Sequence, residues 1–158
     1  IIFTSDHGDY LGDHWMGEKE LFHDPSARIP LIMVDPRAPA DGTRGTQSDT
    51  LVEAIDVVPT ILDFFGGGAV PHIIEGRSLL PVLNGKADRV RDFAVSEYDY
   101  SMRDVRKRLG VEVSDAKLTM LFDGRWKYIF AEAGATVFPL DAPDLPAHDH
   151  LGCADCRT

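Results

Sequence analysis

Residues 1–19 read IIFTSDHGDYLGDHWMGEK, an apolar run followed at once by carboxylates and imidazoles. Residues 1–4 are too few for a helix, and their apolar character predicts a fully buried strand. Asp6 and His7 follow where that strand ends. Open α/β sheets hold their sites at the carboxyl ends of strands, because the loops leave the sheet there. The stretch therefore predicts an α/β fold with a site just beyond the first strand.

The length and the net charge of the chain limit the kinds of molecule that it is expected to bind. The chain has 158 residues, of which 44% are hydrophobic, enough for a domain with a real core. No apolar run approaches the ~20 residues of a membrane-spanning helix, so no membrane partner is predicted. The formal net charge of -10 argues against nucleic acid, because an acidic surface repels phosphates. It also gives no long-range attraction for an anionic substrate, which would have to be bound locally by a cation or a metal.

The chain up to about residue 90 combines loop, strand and helix patterns. Residues 5–28 lack a period and predict a long loop, and residues 28–34 (RIPLIMV) predict a second apolar strand. Residues 54–68 (AIDVVPTILDFFGGG) have the best helix pattern, with Asp56 as the N-cap and Gly66 at the end. The apolar side chains Val58, Ile61, Leu62 and Phe65 fall on one face of that helix. A short helical turn is expected at residues 79–83.

The second half of the chain has β patterns. Residues 93–98 alternate in polarity and predict a strand. Residues 117–132 (KLTMLFDGRWKYIFAE) predict a hairpin, because Asp123 and Gly124 form a strong turn signal between two β-forming runs. Residues 135–141 (ATVFPLD) would add one more strand.

One short helix is expected among these strands. Ser101 is a plausible N-cap and Gly110 a plausible stop, and the basic residues between them predict a solvated helix face. Residues 1–90 are therefore predicted to form an α/β portion that carries the site. Residues 91–142 would form a small antiparallel sheet with a covering helix, and residues 143–158 a tail.

Asp6 and His7 are candidate metal ligands. A carboxylate and an imidazole suit Zn²⁺ or Mn²⁺ or, with more oxygen ligands, Mg²⁺ or Ca²⁺. Gly8 would let the backbone turn tightly enough for both side chains to approach one ion. Two ligands are too few for a stable site, so the others must come from elsewhere. The alternative is that the pair merely caps a turn.

The order of several motifs resembles a known family. The motifs are residues 4–33 (TSDHGDYLGDHWMGEKELFHDPSARIPLIM), 54–67 (AIDVVPTILDFFGG) and 75–85 (EGRSLLPVLNG), followed by SEYDY and DGRWKYI. Together they resemble the C-terminal portion of the sulfatase and phosphonate monoester hydrolase family, which belongs to the alkaline phosphatase superfamily. The resemblance runs from residue 1 to about residue 140. It implies the C-terminal part of an alkaline-phosphatase-like α/β sandwich, followed by the small antiparallel sheet.

The resemblance implies metal ligands at Asp6 and His7. Many arylsulfatases have Asn at the second position, so His7 favours the branch that hydrolyses phosphonate monoesters and phosphodiesters. The implied cofactor is a divalent metal ion, with Mn²⁺, Zn²⁺ and Ca²⁺ as candidates. The implied substrate is a small anionic ester. An arylsulfatase-type sulfuric ester hydrolase is the alternative within enzymes.

Two further residues are implied to be catalytic. Lys19 matches the lysine that contacts the transferred phosphoryl or sulfuryl group, where it would neutralise charge on the non-bridging oxygens. The alternative is a solvated lysine paired with Glu18 or Glu20. His14 could polarise or protonate the leaving group, or it could be a packing histidine that contacts other site residues.

The family's nucleophile has no counterpart in the motifs quoted. These hydrolases attack with a formylglycine made from cysteine, usually in Cys-x-Pro/Ala-x-Arg, or with Ser or Thr in the N-terminal part of their chains. That residue and further carboxylate ligands are therefore expected before Ile1, so this chain is expected to be an inactive fragment of a longer enzyme. Residues 1–3 and 29–34 should then expose apolar surface, and the full-length protein is expected to be a homo-oligomer. A non-catalytic metal- or partner-binding module is the remaining alternative.

The tail contains two patterns that could be mistaken for sites. Cys153 and Arg157 have the Cys-x-x-x-Arg spacing, but Asp155 stands at the third position and the pattern lies downstream of the metal residues. The set His148, His150, Cys153 and Cys156 resembles a zinc-binding cluster, in which the Cys-x-x-Cys spacing suits half of a zinc site but the His-x-His beside it is not a familiar partner. We expect a frayed, solvated tail instead, because chain ends are usually disordered unless they are tied down.

Overall fold

The computed structural model describes residues 1–68, 72–131 and 134–139, the last of these by backbone alone. Its helices are α1 (Asp24–Ala27), α2 (Val57–Phe64), α3 (Leu80–Leu83) and α4 (Asp104–Leu109). Its strands are β1 (Ile2–Thr4), β2 (Leu31–Met33), β3 (Ala94–Asp99), β4 (Lys117–Phe122), β5 (Trp126–Ala131) and β6 (Gly134–Pro139). Short 3-10 turns lie at Asp13–Trp15, Ala38–Ala40 and Ala54–Asp56.

Contacts group the chain into two compact units. Unit 1 consists of Ile1–Asp6 and Ile29–Ala94. Unit 2 consists of His7–Arg28 and the chain from Val95 onward. In the described residues, no helix combines the length and the apolar character needed to cross a membrane.

The sheet of unit 1 is a two-stranded antiparallel ribbon. Strand β1 pairs with β2, with Phe3 opposite Ile32. The strands are where the sequence predicts them, but the prediction that the first is fully buried is wrong, because Ile1 is 85% and Phe3 is 59% exposed. Each strand has a single neighbour in the described residues, so its other edge is unpaired there. Ile32, at 58% exposed, belongs to the same uncovered apolar surface, as expected for these two strands.

Helix α2 confirms the predicted helix and differs in what it buries. It ends at Phe64, two residues before Gly66, whose positive φ of 74° stops the helix. Pro59 and Thr60 are buried, whereas Val58 is 55% and Phe65 is 80% exposed. The apolar face predicted from periodicity is therefore largely uncovered in the described structure.

Asp56 holds the start of α2 through backbone groups outside that helix. It occupies the predicted N-cap position, but its side chain makes no capping hydrogen bond there. Its fully buried carboxylate instead accepts the amides of Glu53, at 2.8 Å, and Arg77, at 2.7 Å. It also forms an ion pair with Arg91. We call Glu53, Asp56, Arg77 and Arg91 the Asp56 network.

The Gly-Arg-Ser-Leu-Leu motif packs on the same turn. A Cβ on Gly76 would lie 2.0 Å from the carbonyl oxygen of Ile55, so only glycine fits there. The Leu79 amide donates to the Thr60 hydroxyl at 2.9 Å, and the Ser78 hydroxyl donates to Asp63 at 2.6 Å. The short helical turn predicted at residues 79–83 is confirmed as α3. The two motifs therefore stabilise each other and serve unit 1 structurally.

Unit 2 contains a four-stranded antiparallel sheet in the order β3-β4-β5-β6. The predicted hairpin is confirmed, with Phe122 opposite Lys127 around a turn in which Asp123 accepts the amides of Arg125 and Trp126. A buried apolar cluster forms the core of the unit and contains Phe22, Tyr100, Ala116, Leu118 and Met120. The mixture of helices and small antiparallel sheets agrees with the predicted α/β fold class.

Helix α4 begins later than the sequence suggests. Arg103, not Ser101, occupies the N-cap position, because the Asp99 carboxylate binds the Ser101 amide at 2.8 Å and the chain turns before the helix starts. The predicted stop at Gly110 is confirmed by its φ of 67°. Arg106 is less solvated than the charge pattern suggests, since its guanidinium donates to two backbone carbonyls.

Candidate active-site loop

The segment His7–Arg28, which we call the site loop, carries most of the candidate residues. His7, His14 and Lys19 lie on it, in unit 2, whereas Asp6 is the last residue of the first segment of unit 1. The Asp6 side chain is exposed and accepts the Ser5 hydroxyl at 3.4 Å. The predicted tail patterns, including Cys153 and Cys156, lie outside the described residues.

The ring of His7 is oriented by its own backbone. Its Nδ1 lies 2.6 Å from the carbonyl oxygen of Gly8. A carbonyl only accepts hydrogen bonds, so Nδ1 must carry the proton and the neutral ring has its lone pair on Nε2. Metal-binding histidines are commonly held in this way, with the second nitrogen donating to a carbonyl. The chemistry of His7 thus fits a metal ligand.

Gly8 is required for a steric reason rather than for its conformational freedom. A Cβ at this position would lie 1.9 Å from the carbonyl oxygen of Pro25. The Gly8 amide also donates to the carbonyl of Ser26 at 2.9 Å. The two ends of the site loop therefore meet at backbone contact distance just beyond His7.

The described residues alone do not complete a metal centre. Within residues 1–68 and 72–131, no group of three or more His, Cys, Asp or Glu side chains is placed to hold an ion. The ligand pair Asp6 and His7 therefore remains a prediction whose further ligands would have to come from other parts of the protein.

Lys19 has no ion-pair partner in the described part of the chain. Its side chain is exposed. Glu20, one of the two partners considered from the sequence, binds Arg103 at 2.7 Å and the Tyr98 hydroxyl at 3.0 Å instead. The lysine thus presents an uncompensated positive charge on a segment with acidic neighbours.

His14 stacks on a histidine that the sequence does not single out. The rings of His14 and His23 are 4.3 Å apart and 19° from parallel, and Tyr10 meets both rings edge-on. This stacking agrees with the alternative in which His14 is a packing histidine that contacts other residues of the loop. No spacing rule relates positions 14 and 23, since irregular turns bring them together. His23 could only have been suspected from the density of histidines in the loop.

Tyr10 is the buried centre of the site loop. Its side chain is fully buried, and burial is the main reason that the pKa of its hydroxyl is raised to about 12. The hydroxyl lies 2.5 Å from the carbonyl oxygen of Glu20 and 2.7 Å from Nδ1 of His23. It therefore stays protonated at neutral pH and acts as a hydrogen-bonding group rather than as a base.

The site loop contains an unusual concentration of left-handed backbone. Five residues other than glycine have positive φ, between 48° and 61°: Leu11, His14, Trp15, Glu18 and Leu21. Each such conformation is unfavourable for an L-residue and persists only where surrounding contacts impose it. Clusters of this kind are typical of functional sites. The loop's conformation is thus held by contacts rather than by local preference.

The far end of the loop is anchored to the hairpin. The Lys127 ammonium donates to the carbonyl of Phe22 at 2.8 Å and forms an ion pair with Asp24. Phe22 itself is buried in the core of unit 2. The loop is therefore tied to the sheet beside α1, a few residues beyond Lys19.

The family of the chain follows from a direct match. A family model described as N-sulphoglucosamine sulphohydrolase, C-terminal, matches residues 12–131. The chain belongs to this family. The match covers residues 12–28 of the site loop, the Asp56 network and the hairpin, whereas Asp6 and His7 precede it.

The chain is also similar in sequence to curated proteins of the alkaline phosphatase superfamily and to arylsulfatases. The chain is 39% identical over 149 residues to the multifunctional alkaline phosphatase superfamily protein PehA of Trinickia caryophylli, covering 90% of this chain and 28% of that protein. It is 31% identical over 140 residues to arylsulfatase K of Xenopus laevis, covering 88% of this chain and 24% of the relative. The predicted resemblance to sulfatases and phosphonate monoester hydrolases is confirmed.

Solved structures give the same result for the fold. The chain is similar to the phosphonate monoester hydrolase of Agrobacterium radiobacter, with a TM-score of 0.75 and 32% identity. That match covers 89% of this chain and 28% of the hydrolase. The chain thus spans about a quarter of the length of the curated relatives that it matches.

Proposed function

We propose that the protein containing this chain is a metal-dependent hydrolase of phosphonate monoesters, phosphodiesters or sulfate esters. The observation that carries the proposal is the orientation of the His7 ring, whose Nδ1 is bound to the Gly8 carbonyl, next in sequence to Asp6. Membership of the sulphohydrolase family supports the hydrolytic class. Lys19, on the same loop and without an ion pair among the residues that the structure describes, supports an anionic substrate.

The candidate residues would bind the metal ion, bind the substrate and act on the leaving group. Asp6 and His7 would hold a divalent ion, with Mn²⁺, Zn²⁺ and Ca²⁺ as the candidates. Such an ion supplies Lewis-acid activation and lowers the pKa of a bound nucleophile. Lys19 would bind the non-bridging oxygens of the ester and offset the charge that develops on them. His14 would polarise or protonate the leaving group.

The nucleophile of this hydrolase would be a formylglycine. The family generally uses a metal ion together with this residue, and we expect it in a Cys-x-Pro/Ala-x-Arg sequence upstream of Ile1. The substrate would be a small anionic ester, and the acidic net charge of -10 makes local attraction by Lys19 and the metal essential. Residues 1–158 alone should show turnover near background.

The proposal is tested by metal content and activity in the complete polypeptide. Asp6→Ala and His7→Ala should each reduce bound metal, measured by atomic emission, and abolish hydrolysis of a phenyl phosphonate monoester. Lys19→Ala should keep the metal but lower kcat/KM by about 100-fold, the usual effect of removing one group that stabilises transition-state charge. Asp9→Asn and Lys86→Ala, which change an exposed acid of the loop and an exposed lysine of unit 1, should leave both readouts unchanged. Full metal content and activity in the His7 variant would contradict the proposal.

A plain arylsulfatase is the second candidate. The identity with arylsulfatase K favours it, whereas His7 at the second ligand position favours the phosphonate branch. Relative kcat/KM on an aryl sulfate and on a phenyl phosphonate monoester separates the two. Absence of turnover on both, with metal still bound, would favour a non-catalytic binding role.

A further inference from the structure

Lys19 is held on both sides by a single residue. The backbone amide of Tyr10 donates to the carbonyl of Glu18 at 2.9 Å, and the Tyr10 hydroxyl donates to the carbonyl of Glu20 at 2.5 Å. Tyr10 is fully buried, so both bonds start from a fixed point. The Glu18–Lys19 peptide unit before Lys19 and the Glu20–Leu21 peptide unit after it are thereby tied down, while the lysine side chain stays exposed.

The direction of these bonds follows from counting protons. The hydroxyl has one proton, and the Glu20 carbonyl can only accept it. The contact between the Tyr10 oxygen and His23 must therefore be a donation from Nδ1 of His23, at 2.7 Å. His23 thus fixes the rotation of the hydroxyl, and the hydroxyl fixes the Glu20 carbonyl.

The carboxylate that follows Lys19 in the sequence is bound by other residues. The Glu20 carboxylate, one residue away, would be the natural partner of the lysine, but Arg103 and Tyr98 bind its two oxygens. An opposite charge next to Lys19 would weaken the attraction of the lysine for an anionic ester. Arg103 and Tyr98 therefore keep the Glu20 carboxylate away from Lys19, which has no ion-pair partner in the described residues.

We propose that Tyr10 is a positioning residue for Lys19, fixing the backbone on both sides of it while Tyr98 and Arg103 hold the Glu20 carboxylate. The inference rests on the proposed function, because Lys19 is taken to bind the anionic ester. Tyr10 itself touches neither substrate nor metal in this arrangement. Its contribution passes entirely through the lysine.

A double-mutant cycle in the complete polypeptide tests this dependence. With a phenyl phosphonate monoester as substrate, Tyr10→Phe should lower kcat/KM by about tenfold in the wild-type background and leave it unchanged in the Lys19→Ala background. Tyr100→Phe is the matched control, because Tyr100 is also a buried tyrosine of unit 2, and it should leave kcat/KM unchanged in both backgrounds.

The outcomes separate this inference from the proposed function. An equal loss from Tyr10→Phe in both backgrounds would overturn the positioning role, because Tyr10 would then act through general stability. No loss from Lys19→Ala itself would refute the role of Lys19 and the inference together. If Tyr10→Phe does not fold, as judged by circular dichroism, the same cycle with Tyr98→Phe decides the matter. A fall of about threefold confined to the background with Lys19 would support the inference, and any other result would overturn it.

Discussion

The site loop and the Asp56 network are both held by side chains that bind backbone groups, but they differ in the backbone that is held. In the loop, five non-glycine residues between positions 11 and 21 have positive φ. In the described residues from 53 to 91, which contain the network, positive φ occurs only at the glycines Gly66 and Gly85. The loop is thus kept in a strained conformation, whereas the Asp56 network stabilises a relaxed one. The contrast indicates that the motifs of unit 1 stabilise the fold, whereas the contacts of the site loop hold its candidate residues in a particular conformation.

The largest expected effect is on the Asp56 network. Asp56→Ala should lower the free energy of unfolding by about 3–5 kcal/mol, because it leaves the nearly buried Arg91 without one of its carboxylate partners and two backbone amides without acceptors. Urea denaturation of residues 1–158, followed by circular dichroism, measures it. Asp63→Ala is the matched control in α2, since Asp63 is exposed and its carboxylate accepts the Ser78 hydroxyl instead of buried backbone amides. A similar loss in both variants would end the contrast between the two regions.

A pH titration examines Tyr10 in the loop. Burial raises the pKa of Tyr10 to about 12, above its value of 10.0 in an unfolded chain. The folded state therefore favours the protonated hydroxyl, so the stabilisation is complete below pH 10 and is lost as the pH rises from 10 towards 12. Absorbance at ~295 nm should show a late-titrating tyrosine that disappears in Tyr10→Phe. A Tyr10 midpoint near 10 would mean that the loop does not bury this residue.

The smallest expected effect is on the free energy of unfolding when glycine replaces a strained loop residue, compared with glycine at an ordinary helix position. Glu18→Gly removes the Cβ at a residue with φ of 59° and should raise the free energy of unfolding by about 0.5 kcal/mol, since relief of strain exceeds the added entropy of the unfolded chain. Arg108→Gly, at an exposed position of α4, should lower it by about 1 kcal/mol. Opposite signs in thermal or urea unfolding would sharpen the comparison. A loss at Glu18 as large as that at Arg108 would show that the loop is not strained there.

Local sequence signals predicted the elements well. The Asp123-Gly124 turn, the stop at Gly110 and the helix that ends before Gly66 each depend on the conformation of one or two residues, which sequence alone specifies. The burial of the first strand was predicted wrongly, because burial depends on what covers a strand and not on its own composition.

The contacts within the site loop and the Asp56 network were harder to predict from the sequence. Asp56 forms a capping box with Glu53, which local rules describe, but its contacts with Arg77 and Arg91, 21 and 35 residues away, could not follow from such rules. The stack of His14 on His23 depends on left-handed residues that no pattern marks. Gly8 was correctly singled out, but the reason is a close approach to Pro25, which only tertiary structure reveals.

The anchor between Lys127 and the loop has a consequence for how the protein is assembled. The Lys127 ammonium binds groups of Phe22 and Asp24, more than a hundred positions earlier in the chain, at separations of 105 and 103 residues. Contacts so distant in sequence form late, because a long stretch of chain must first be ordered. During synthesis the site loop emerges before the hairpin, so the contacts of Lys127 with the loop cannot form until the hairpin has left the ribosome. The site loop would therefore reach its final contacts only after the hairpin of residues 117–131 has been made.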